Sequence, residues 1–219
     1  MKKLFGVILS ILGFFIITGC AFTNNQVSTK KARVIYFVPK KVDSEKVKEA
    51  LLNAITLRTK DVKDVENFMP EKLPDTPGHP VRKNIFGTLN VIASGNPKLE
   101  ATQLDTTNAW YSVEGTEEMG TPFNKQYVVY KGAIYPYKDG YKVYIYEFYQ
   151  EGVDGIMGHI TKAIAEKISG EKAPLLFIAQ ISNRFKEKIP EAKLENVSPT
   201  SLRKIKLNLW NKGNFGLDK

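Results

Sequence analysis

Between Val47 and Ile55 the apolar residues are Val47, Ala50, Leu51, Ala54 and Ile55, at steps of three and four that gather on one side of an α-helix. Asp43 or Ser44 precedes the run, where a side-chain oxygen can accept from the free N–H groups of a first turn, so a helix is predicted to start there. Upstream, Val34 to Val38 is a β-branched and aromatic run and predicts a strand. Downstream, Val62, Val65 and Phe68 recur every three residues and predict a second, shorter helix stopped by Pro70. Pro70, Pro74, Pro77 and Pro80, with Gly78 and His79 among them, make the stretch to Val81 a stiff irregular loop. Asn84 to Ala93, in which Ile85, Leu89 and Val91 alternate with Phe86, Thr88, Asn90 and Ile92, predicts a strand covered in part on both faces, and Ala109 to Val113 predicts a neighbour.

Gln126 to Gln150 contains eight of the ten tyrosines around Lys138-Asp139-Gly140 and predicts a β-hairpin. A two-residue Asp-Gly turn would put Pro136, which lacks an N–H, at a hydrogen-bonded pair. A three-residue loop with Gly140 as the left-handed bulge avoids this, pairs Tyr137 with Tyr141, and sets Lys131 opposite Glu147. Beyond the hairpin, Asp154 caps a predicted helix with Ile156, Ile160, Ile164 and Ile168 along one side, which Gly170 closes. Pro174 to Lys188 predicts another helix, and Ile205, Leu207 and Leu209 alternate with polar residues as a half-buried strand. The sum is an α+β domain over 33–215, an antiparallel sheet with helices packed on one face. Its predicted order is loosely similar to the helix-grip arrangement of START-type lipid-binding domains.

The amino terminus follows different rules. Lys2 and Lys3 precede an almost wholly apolar stretch from Leu4 to Thr18, shorter than the roughly 20 residues a spanning helix needs, which is a secretory signal pattern. Ile17-Thr18-Gly19-Cys20 then resembles the lipobox of bacterial lipoprotein precursors. The resemblance implies that residues 1–19 are a signal peptide, that Cys20 takes a diacylglyceryl group as a thioether, and that Cys20 becomes the first mature residue. Thr18 and Gly19 are small enough to let an extended chain enter a peptidase, and the Cys20 thiol is the nucleophile that alkylation requires. Residues 20–32 are then a lipidated end and polar tether. Two or three acyl chains, at about 0.8 kcal/mol per buried methylene, fix the protein on a membrane. Ala21 stands where Gram-negative retention signals would have Asp, so in such a host the resemblance implies the periplasmic leaflet of the outer membrane.

Composition limits the chemistry that remains. The chain has 219 residues, 42% hydrophobic and 25% charged, with one Cys and two His. That excludes a disulfide framework and a Cys-rich metal centre, and neither metal nor cofactor is expected. Formal net charge is +9, about +7 without the signal peptide's two lysines. Lys40-Lys41, Lys186 to Lys188 and Arg203 to Lys206 are interspersed with acidic residues and are expected to be solvated faces, or faces that meet anionic headgroups or an envelope glycan. His79 and His159 have no local nucleophile–base motif, Asp154 and Thr161 being the nearest polar neighbours of the latter, so no catalytic residue is predicted. Gly155-Ile156-Met157-Gly158 spells the G-x-x-G of KH modules but follows a hairpin instead of joining two helices, and no nucleic-acid partner is expected.

Tyrosine combines a large ring with a polar tip, so the hairpin's Tyr130, Tyr135, Tyr137, Tyr141, Tyr144 and Tyr146 form the candidate binding surface. The leading expectation is a non-enzymatic envelope lipoprotein that binds a protein or glycan of the envelope through that hairpin or a sheet edge. The alternative is a carrier of an apolar ligand between sheet and long helix, lined by Ile160 and Ile164. A hydrolase is the third reading.

Overall fold

The first strand begins before the apolar run that announces it. In the computed structural model, which describes residues 28–59, 61–83, 95–121, 124–151 and 173–204, β1 (Ser28–Pro39) lies antiparallel to β7 (Gly140–Glu151) along its whole length, Ser28 opposite Glu151 and Pro39 opposite Gly140. Residues 28–32, expected to belong to the tether, are therefore strand. Backbone pairing needs no apolar side chain, so the exposed Lys30 and Lys31 gave no sign of it. From Ala32 onward the side chains alternate, with Ala32, Val34, Tyr36 and Val38 buried.

Helix α1 (Ser44–Thr56) starts as its sequence predicts. The Asp43 carboxylate accepts from the Lys46 N–H at 3.1 Å, and Val47, Ala50, Leu51, Ala54 and Ile55 are the residues it buries. The short helix expected around Val62 is instead strand β2 (Asp61–Glu66), paired with β5 (Tyr111–Thr121). Its spacing of three is incidental: Val62 is half-buried against the core, whereas Val65 and Phe68 are exposed, as an edge strand allows. The Pro-rich stretch is irregular as expected and ends in a two-residue strand β3 (Val81–Arg82), which pairs with β4 (Leu104–Asp105) after a short helix α2 (Pro97–Thr102).

Strand β6 (Asn124–Tyr137) and β7 form the tyrosine-rich hairpin, in a register one residue from that expected. Tyr137 lies opposite Gly140 and Pro136 opposite Tyr141, so the loop is Lys138-Asp139 alone, and Lys131 faces Tyr146 while Glu147 faces Tyr130. Gly140 has the expected positive φ (149°), but as the first paired residue of β7. The cause lies on the far side of β7: a Cβ on Gly140 would run into the Val38 carbonyl oxygen of β1 and approach the Lys40 nitrogen at 2.8 Å. Pro136 is still compatible with the ladder. The Trp110 N–H donates to the Ile134 carbonyl, so residues of that parity turn their backbone toward β5 and away from β7.

Among the described residues six strands form one antiparallel sheet in the order β2-β5-β6-β7-β1-β8, the last being Lys193–Ser198. The hairpin is thus central, and β2 and β8 are the edges. β8 has only Val197 buried, which is why no alternation announced it. The fold class is α+β as expected. Helix α1 and helix α3 (Ala173–Lys188) cover one face, with Leu51, Ile55, Ile178, Ile181 and Phe185 in the core they share with the sheet. That layer is close-packed at Gly132, where a Cβ would meet Leu51 Cδ1 at 2.9 Å. Helix α2 lies on the opposite face, its Ala101 packed with Leu104, Val129, Tyr146 and Phe148. The elements predicted at Asn84–Ala93, Asp154–Gly170 and Ile205–Leu209 lie outside the described residues, as do Ile160 and Ile164.

Candidate functional site

Side-chain alternation divides the hairpin tyrosines between the two faces of the sheet. Tyr130 and Tyr141 join the core beneath α1 and α3, whereas Tyr135, Tyr137, Tyr144 and Tyr146 lie on the opposite face. The six therefore do not make one surface. On the second face Tyr135 and Tyr144 meet edge to face at 5.6 Å between centroids, Tyr144 and Tyr146 stack at 6.3 Å, and Tyr146 and Phe148 stack at 6.3 Å. Phe37 from β1 approaches Tyr137 at 6.3 Å.

Covering segments determine which rings stay accessible. Helix α2 and Leu104 bury Tyr146 and Phe148. The Pro-rich loop crosses Tyr135 so closely that a Cβ on Gly78 would stand 2.6 Å from Cδ1 of its ring, and the Tyr135 hydroxyl donates to Asn108 Oδ1 at 3.2 Å. Ile35, Phe37 and Tyr144 are left half-buried. Arg33, bonded to Asn196 at 3.4 Å, and the Lys142–Glu195 ion pair border this strip. Burial, and then the neighbouring Tyr146, push the Tyr144 hydroxyl above its ordinary pKa, so it remains a neutral donor and acceptor. A flat apolar strip with a hydrogen-bonding rim suits stacking against a sugar ring or an apolar side chain.

A second constellation, on the helix face, was not anticipated. Arg58, just after α1, grips Glu117 of β5 with two bonds, Nη2 to Oε1 at 2.6 Å and Nε to Oε2 at 3.3 Å. The Tyr130 hydroxyl donates to the same Oε2 at 2.9 Å, and the Arg58 guanidinium lies 4.0 Å from the centre of the Phe177 ring. Opposite Tyr130, Glu147 is fully buried, with neither carboxyl oxygen in a hydrogen bond of ordinary geometry among the described residues. Burial, then the Glu117 charge, drive its pKa well up, against the weaker pull of Arg58 and the Ile178 amide. Burial thus favours the neutral form of Glu147 over the charged one. Arg58 and Glu117 also border an open cleft of about 870 Å³ with Asp61, Lys63, Glu114 and Tyr127, but Glu147 does not line it. Sequence reading had Glu147 as a cross-strand partner of Lys131, and only its place in a β-branched and aromatic run hinted at burial.

The lipobox-like Ile17, Thr18, Gly19 and Cys20, the residues Asp154, His159 and Thr161 of the predicted helix, and the Gly155–Gly158 motif all lie outside the described residues. His79 is exposed on the Pro-rich loop. Among the described residues no group of three or more His, Cys, Asp or Glu side chains is placed to hold a metal ion, and no helix is long and apolar enough to cross a membrane. Set against known protein families, curated proteins and solved structures, the chain matches none of them.

Proposed function

We propose that this protein is a lipid-anchored, non-enzymatic binding module of a bacterial cell envelope, held on its membrane through Cys20, and that it recognises an envelope protein or glycan through the aromatic face of its sheet. The observation that carries the recognition half is the partly uncovered strip Ile35, Phe37 and Tyr144, in which the Tyr144 ring sits between Tyr135, met edge to face, and Tyr146, on which it stacks. The strip stands on β1 and β7, inner strands paired on both sides, so the rings are pre-positioned and little side-chain freedom is lost on contact. The carrier reading concerns a cavity beside Ile160 and Ile164, which lie outside the described residues. The anchoring half rests on the resemblance of Ile17-Thr18-Gly19-Cys20 to a lipobox.

A photo-crosslinking side chain placed at Phe37, at Tyr144 and at the fully exposed Phe68 of the Pro-rich loop tests the assignment in living cells. Adducts to one envelope component from positions 37 and 144, and not from 68, are expected. Adducts from 68 alone, or from none of the three, would move the recognition surface elsewhere.

A further inference from the structure

On the same face as the aromatic strip, but at the other end of β1, a cleft of about 230 Å³ lies between the first residues of the strand and the α2–β4 segment. We propose that this cleft binds a phosphate-class oxyanion, held by Lys31, Arg82, Gln103 and Thr29. Its lining carries the cations Lys31 and Arg82 against the single carboxylate of Glu100. Arg82 is positioned by Glu100 at 3.1 Å and by Gln103 Oε1 at 3.4 Å. That second bond orients the Gln103 amide, which is only 2% exposed, and leaves its Nε2 without an acceptor among the described residues. The Thr29 hydroxyl, also lining the cleft, is buried without a partner among the described residues as well. Lys31 has a ring contact with Tyr146 at 5.9 Å but neither a hydrogen bond nor an ion pair among the described residues.

Unsatisfied buried donors are costly, and here they share a cleft with excess positive charge. One ligand answers both conditions, an anion with several acceptor oxygens pointing in different directions. A tetrahedral phosphate or phosphodiester meets that description better than a planar carboxylate, which offers two oxygens in one plane. The Lys31 ammonium is already held below its ordinary pKa by burial and then by Arg82 and Arg33, a repulsion that a bound anion would relieve.

The cleft stands whether or not Cys20 is acylated; the anchor determines only which phosphate is within reach. Eight residue steps separate Cys20 from Ser28, at most about 29 Å of extended chain, so an acylated protein would keep the cleft near phospholipid headgroups. Free phosphate is the other source of the same chemistry.

Calorimetric titration of the full chain in neutral detergent micelles, with inorganic phosphate and with glycerophosphoglycerol, a phosphodiester headgroup without acyl chains, tests the site. Binding of at least one is expected, weakened by about tenfold or more in Lys31→Gln and in Arg82→Gln, preserved in Lys31→Arg, and changed less than about twofold by Lys41→Gln at the opposite end of β1. Tighter binding of the headgroup assigns a lipid source, and tighter binding of phosphate a soluble one; both support the site. No heat up to about 10 mM of either ligand, or an equal loss in Lys41→Gln, would overturn it. Loss of the unliganded thermal transition in Lys31→Gln would transfer the decision to Lys31→Arg, whose failure to bind would equally count against the site.

Discussion

A carboxyl group sealed between a sheet and two helices must give up its charge or weaken the fold, and Glu147 is in that position. Unfolded, it titrates near 4.5; folded, it titrates well above that. Between the two values the folded chain binds one more proton than the unfolded chain, so stability falls as pH rises through this window and is fully present below it. Glu147→Gln, which keeps the shape and removes the charge, should therefore stabilise the domain at pH 7 by about 1 kcal/mol or more, with the gain vanishing near pH 4. Urea unfolding at the two pH values measures this, and a gain of equal size at both would show that charge is not the cause. Gly140 is constrained by geometry instead. Its φ of 149° and the β1 backbone against it exclude any side chain, so Gly140→Val should cost about 2 kcal/mol or more, and Gly140→Asn should fare little better because the obstacle is the Val38 carbonyl as well as the dihedral angle. Thermal unfolding of the pair checks this; a mild Asn variant would mean that β1 yields.

Elements are joined here by one lysine more than by any cross-strand ion pair. Lys131 Nζ donates to the Ala101 carbonyl at 3.1 Å and the Leu104 carbonyl at 2.9 Å, closing the end of α2, and pairs with Glu114 at 3.2 Å. Lys131→Met keeps the aliphatic stem but strands those carbonyls, and should destabilise the domain by about 1–3 kcal/mol while raising amide exchange across 97–105 first. Pro136→Ala should be nearly neutral, since the Pro136 nitrogen faces away from β7. How much of this was legible follows from which forces leave a trace in the chain. Helix α1 was legible in full, because its cap and its five buried residues are local. Strands β2 and β8 were not, since an edge strand with a single covered residue needs no alternation. The hairpin was legible as a hairpin, but its register was not: the residue that forces Gly140 into its conformation is Val38, a hundred positions away. The tyrosines were legible as strand residues but not as a single surface: alternation sends Tyr130 and Tyr141 into the core and the other four to the opposite face, where the division into covered and open rings depends on Gly78, Ala101 and Leu104, none of which bears any mark of that role. The lining of the oxyanion cleft is assembled the same way, from residues 29 to 148, and no segment of the sequence holds it.

At the scale of the whole molecule, the two ends of the sheet differ in what they offer a membrane. The chain enters at Ser28, beside Lys30, Lys31 and Arg82, and the 12 residues of β1 then carry it about 40 Å to Pro39, where the Lys138-Asp139 turn and the Pro-rich loop meet through the Lys138 N–H and the Pro74 carbonyl. If Cys20 is acylated, the cationic end is tethered within about 29 Å of the bilayer and the Pro-rich end stands away from it, which leaves the aromatic strip upright between them. Because Cys20 is the sole cysteine and acylation would consume its thiol, a second cysteine introduced anywhere is uniquely open to a fluorophore. The full chain labelled at Lys30→Cys or at Asp139→Cys, and reconstituted into vesicles containing anionic lipid and a headgroup-linked energy acceptor, should give strong transfer from position 30 and weak transfer from position 139. Cys20→Ser should abolish both the transfer and the incorporation of labelled fatty acid. Equal transfer from the two positions would mean that the domain lies flat on the membrane, with its aromatic face or its edges against lipid, and transfer that survives Cys20→Ser would mean that something other than the thioether holds it there.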